Sequence, residues 1–126
     1  HNRCRRQRQM CIRDSHGAVT AAMRRVRVSN ACYQDMLPTY PDNCVDVVYF
    51  DPMFGQTVTD SNGLDLVRTF AHSGRPQQGD IAEAKRVARR CVLMKDQMPG
   101  RTLQALGFSV VKKARRFCYG RIECTL

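Results

Sequence analysis

Residues 44–54 read CVDVVYFDPMF, and the fold is decided there. Residues 45–50 are an almost continuous apolar run set between turn formers, the pattern of a strand buried on both faces. Asp51-Pro52 ends it, because proline has no N–H to give to a sheet ladder. The strand therefore delivers a carboxylate at its tip.

Reading outward, 36–43 contains Pro38, Pro41, Asp42 and Asn43 and predicts a turn before the strand. Upstream, 26–30 is a short β-branched run and predicts another strand, preceded by an Ala-rich helix end at 17–25. Downstream, 55–79 is polar and rich in Gly, Ser and Thr, a long loop with a short helix at 64–70. Asp80 and Glu83 have the spacing of a capping box. Ile81, Ala84, Val87, Ala88 and Cys91 follow at helical spacing, which predicts a helix over 80–89 with Lys85, Arg86 and Arg89 outward. A second buried strand is predicted at 91–94, and a short helix at 99–106 with Gly107 just past its end. An antiparallel pair is expected from 108–112 and 117–123. Strands alternating with helices define an α/β chain, whose functional loops lie at the carboxyl ends of parallel strands. Those ends are Asn30-Ala31-Cys32, Asp51 and Lys95-Asp96.

The chain has 126 residues, enough for one modest core. Lys and Arg number 21 against 11 Asp and Glu, a formal charge of +10, and 43% of residues are hydrophobic. That hydrophobic share argues against global disorder. No apolar run approaches the ~20 residues of a membrane-spanning helix, and no membrane partner is expected. The seven cysteines (4, 11, 32, 44, 91, 118 and 124) form no Cys-x-x-Cys pair and no zinc spacing. An odd count without a framework predicts buried free thiols, no metal site and a cytoplasmic location. Residues 1–15 stand apart. They hold five arginines and one aspartate without helical or strand periodicity. QMCIRDS at 9–15 looks like the conceptual translation of a sequencing-library adaptor, so 1–15 is expected to be foreign or disordered and 16–126 to be the natural segment.

Asp51-Pro52-Met53-Phe54 is the motif suited to chemistry. Asp51, or the backbone carbonyl beside Pro52, can accept from the amine of a planar substrate. Phe54 can stack on its ring, and Met53 can wall the pocket. Methyl transfer to an exocyclic amine asks mainly for position and local electrostatics. Asp-Pro after a strand is also a common turn, and taken alone these four residues do not separate the two readings.

The same residues resemble class I S-adenosylmethionine-dependent methyltransferases. Asp-Pro-Met-Phe is similar to the Asp-Pro-Pro-Tyr signature of amino-methylating members, above all the small-subunit ribosomal RNA guanine methyltransferase family. The likeness runs through AAMRRVRVSNA at 21–31, PDNCVDVVYFDPMF at 41–54, EAKRVARRCVLMK at 83–95, LGF at 106–108 and YGRIE at 119–123. It implies the C-terminal part of a Rossmann-like methyltransferase sheet with a terminal antiparallel strand pair. It implies Asp51, Pro52 and Phe54 around the target base, and Asn30, Ala31, Cys32 and Asp51 toward the cofactor. Met53 and Lys95 would face substrate, and Asp35 matches a second family acid. Two departures stand out. Cys32 occupies the place of an acid, and neither the family's Gly-rich loop nor its ribose-binding acid precedes residue 17. The chain is therefore expected to carry an incomplete S-adenosylmethionine site and to be inactive alone.

Ribosomal RNA is the substrate this resemblance implies. The group Lys112, Lys113, Arg115 and Arg116 is the densest basic patch for it. Two rivals remain at this level: a non-catalytic basic RNA-binding α/β module, and a small-molecule methyltransferase. Whether the basic surface lies beside Asp51 separates the second rival from the leading reading.

Overall fold

A computed structural model describes residues 17–52 and 74–124, which divide into two units between Ala31 and Cys32. In the first unit, Gly17–Arg24 forms helix α1, which buries no residue. Residues 26–30 form no strand, contrary to the sequence expectation, and Val26 and Val28 are exposed. A β-branched run becomes a strand only where another strand takes up its backbone groups, and the described four-stranded sheet does not take in this run.

The second unit holds a mixed α/β arrangement. Helix α2 (Tyr33–Met36) runs into a 3-10 turn (Leu37–Thr39), followed by β1 (Val45–Phe50). Helix α3 (Gln78–Val87) leads directly into β2 (Ala88–Gln97), and α4 (Arg101–Ala105) into β3 (Ser109–Lys113) and β4 (Phe117–Glu123). The sheet order is β1-β2-β4-β3. β1 and β2 are parallel, with Phe50 opposite Met94. β4 lies between β2 and β3 and runs antiparallel to both, with Lys95 opposite Tyr119 and Lys112 opposite Tyr119 on its other side.

One face of this sheet carries the core. Val92 and Met94 of β2, Cys118 of β4, Phe50 of β1 and Leu103 of α4 pack with Ile81, Ala84 and Val87 of α3 in a single cluster. The three α3 positions repeat every three residues, so they share one helix face. β1 matches its expected bounds but not its expected burial. Phe50 is buried, whereas Val47 and Tyr49 are 41% and 50% exposed. Alternate residues of a strand point to opposite faces, and among the described residues it is the Phe50 face that meets the helices.

Other boundaries moved for local reasons. The helix predicted at 80–89 starts at Gln78, because Asp80 is the third helical residue rather than the cap: its carboxylate accepts from the Gln77 N–H at 2.8 Å. Glu83 pairs instead with Arg86, and Arg89 belongs to β2, where it meets Asp46 at 2.9 Å. Arg86 is not a free outward cation. Its guanidinium donates to the carbonyls of Leu37 and Tyr40 and to Asp42 and Glu83, and bonding to Glu83 and then to Asp42 raises its pKa further. With the Asn43 N–H donating to the Arg86 carbonyl at 2.9 Å, this ties the approach to β1 onto α3. Cys91 and Cys118 are buried as expected, but Cys44 is exposed, following Asn43 at its positive φ of 52°. The described cysteines are all free thiols. The predicted helix at 64–70 and residues 1–15 lie outside the described residues.

Candidate functional site

Parallel pairing sets Asp51, one residue past Phe50, beside Lys95, one residue past Met94. The two side chains meet: Lys95 Nζ lies 3.2 Å from Asp51 Oδ1, with side-chain exposures of 23% and 53%. The same ammonium sits 4.6 Å from the centre of the Phe117 ring. Phe117 and Tyr119 alternate along β4, and Tyr119 is opposite Lys95 in register, so both share the Lys95 face of the sheet. Tyr49 completes the group two residues before Asp51. Its phenol pKa is raised by burial first and then by the Asp51 charge, with Lys95 opposing.

The site is thus an open carboxylate at a strand tip, buttressed by a lysine and bordered by aromatic rings. It can accept hydrogen bonds from a planar amine-bearing group. The lysine head, held between an acid and a ring, is oriented along the sheet edge. Pro52 follows directly and is half-buried, as the turn at the strand end requires. Met53 and Phe54, the expected pocket wall and stacking ring, lie outside the described residues.

The residues expected near a cofactor are divided. Asn30 and Ala31 are exposed and belong to the first unit; Cys32 opens the second. Cys32 stands immediately before α2, where its thiol donates to Gln34 Oε1 at 3.2 Å. Next to it, the Tyr33 ring meets the Phe50 ring edge-on, centroids 5.4 Å apart, which ties α2 to β1. Asp35 is exposed in the same short helix. A thiol engaged with its neighbour and a carboxylate engaged with a lysine do not by themselves make a site for S-adenosylmethionine. Among the described residues, no group of His, Cys, Asp or Glu is placed to hold a metal ion, and no helix is long and apolar enough to cross a membrane.

Asp96, at the same strand end, has a structural task. It is 4% exposed. Its carboxylate accepts from the backbone N–H of Thr102 at 2.9 Å, Leu103 at 3.2 Å and Gln97 at 2.8 Å, capping α4. Phe117, Tyr119 and Tyr49 are site members that the sequence reading did not single out. The Phe-x-Tyr alternation marks a common face, but which strand that face adjoins is a matter of register.

Fold and site together define a mixed α/β chain with an acid–lysine pair at the carboxyl end of its parallel strands. The chain is similar to Uncharacterized protein YpiP of Bacillus subtilis (strain 168), with 43% identity over 104 residues, 82% of this chain and 40% of that protein. It therefore spans about two fifths of the length of the curated relative it matches. No family model and no solved structure matches.

Proposed function

We propose that this sequence is the target-base side of an S-adenosylmethionine-dependent methyltransferase that modifies an exocyclic amine of a nucleic-acid base, guanine in ribosomal RNA. The observation that carries the reading is Asp51, a solvent-facing carboxylate at the tip of a parallel strand, held by Lys95. Further support comes from β3 and β4, an antiparallel pair closing the sheet, as the resemblance implies.

In this reading Asp51 accepts a hydrogen bond from the target amine and orients its nitrogen. Pro52 directs the chain away from the strand, so the carboxylate stays at the edge. Lys95 fixes the rotamer of Asp51 before substrate arrives, which lowers the ordering cost at the reacting centre. The described residues supply no cofactor cradle, and no step is assigned to them beyond binding and orienting the base.

Transfer of labelled methyl from S-adenosylmethionine to small-subunit ribosomal RNA tests this, using the longer protein that the reading implies. Asp51→Ala is expected to lower transfer by at least about 100-fold, with RNA affinity changing less than about threefold. Wild-type protein that binds RNA but transfers no methyl group would sink the enzymatic reading and leave a binding module.

A further inference from the structure

The basic residues of this unit are not all in the same situation. Arg86, Arg89, Lys95 and Arg121 each meet a carboxylate within the unit. Lys112, Lys113, Arg115 and Arg116 are exposed and meet no carboxylate among the described residues. All four lie on the β3–β4 hairpin, at the end of β3 and in its turn.

Register says which end of the sheet that is. Lys112 is opposite Tyr119, Tyr119 is opposite Lys95, and Lys95 meets Asp51. One row across the sheet therefore runs Asp51, Lys95, Tyr119, Lys112, with the hairpin turn just beyond it. Three steps of about 4.8 Å place β3 on the order of 14 Å from β1 along this edge. The turn is held in place. The Ala114 N–H donates to the Phe117 carbonyl at 2.8 Å, and the Met98 N–H donates to the Arg116 carbonyl at 3.0 Å, joining the turn to the end of β2. Between the turn and Asp51 lie the half-buried Tyr119 and, with the Lys95 ammonium over its ring, Phe117.

Lysines on an edge strand also serve to block edge-to-edge pairing. That accounts for Lys112 and Lys113. It does not account for two consecutive arginines in the turn, outside the ladder. Four cations that meet no carboxylate among the described residues, leading to an aromatic border, are the combination that holds a single strand, with phosphates on the cations and bases against the aromatic side.

We propose that the β3–β4 hairpin is a phosphate clamp for single-stranded RNA, binding the backbone a few nucleotides from the base presented to Asp51. The inference deepens the reading above by naming the surface that receives the RNA. Its test reads binding alone, so it can fail while the Asp51 chemistry stands, and the reverse.

The probe is a short fluorescein-labelled single-stranded RNA of mixed sequence, titrated by anisotropy over a range of salt with the full chain. The variant replaces Lys112, Lys113, Arg115 and Arg116 with Gln; the comparison chain carries Lys85→Gln and Arg90→Gln, exposed cations away from this edge. Circular dichroism and urea unfolding confirm that both fold. Each lost phosphate contact lowers the steepness of log affinity against log salt by about 0.7, so the hairpin variant is expected to lose up to about 2.8. The comparison chain should keep a near-wild-type slope. An unchanged slope in the hairpin variant, an equal loss per charge in the comparison chain, or no RNA binding by wild type at low salt each overturns the clamp.

Discussion

Replacing Asp96 is the sharpest physical test of how this sheet edge is built. The carboxylate is 4% exposed and accepts three backbone N–H groups, two of them at the start of α4. In Asp96→Ala all three donors lose their partner. Leu103 is fully buried, so no water reaches its N–H, and one complete penalty of about 2 kcal/mol applies. Thr102 and Gln97 are only half-buried, and water recovers part of their loss, leaving about 1 kcal/mol each. The sum is about 4 kcal/mol, a large share of the ~5–15 kcal/mol that holds a small domain. In Asp96→Asn the amide oxygen can keep the Thr102 and Leu103 bonds. Its NH2 group faces the Gln97 N–H and cannot accept, so about 1–2 kcal/mol is expected. Urea unfolding followed by circular dichroism measures both from the midpoint at constant m. An alanine variant within about 1 kcal/mol of wild type would refute the capping argument, and with it the separation of structural Asp96 from open Asp51.

Two further predictions concern packing and ionisation. A Cβ at Gly120 would stand 2.6 Å from Leu103 Cδ2 and 2.8 Å from Phe108 Cβ, so Gly120→Ala is expected to destabilise by about 2–3 kcal/mol in the same urea assay. Burial, then the charge of Asp96, raises the Cys118 thiol above its ordinary 9.0, with Lys113 opposing. The folded chain then keeps a proton that the unfolded chain releases, so stability is level below about pH 9 and falls above it, by up to about 1.4 kcal/mol per pH unit for this group. Cys118→Ala should flatten that decline in urea midpoints taken from pH 7 upward, and an equally steep decline in the variant would show that other groups cause it.

The elements legible in the sequence were those with local punctuation. Asp51-Pro52 and the turn formers at 41–43 marked both ends of β1, and Gly107, with its φ of 79°, marked the end of α4. β4 appeared at its expected bounds, 117–123. The chain's α/β character and the placing of Asp51 at a strand tip followed from the same signals. They are properties of consecutive residues, and backbone sterics act between neighbours.

What only the tertiary structure decided were relations between distant residues. Nothing in 44–54 tells that one face of β1 remains open, because that depends on which side α3 packs. Nothing in 95–96 separates the lysine that meets Asp51 from the acid that caps α4; strand alternation sends them to opposite faces, and register chooses their partners. The four cations of 112–116 were visible as charge, but their place on the Asp51 edge comes from β4 lying between β2 and β3. Spacing along a chain determines which way a side chain points, whereas the pairing of strands far apart in sequence determines what it points at.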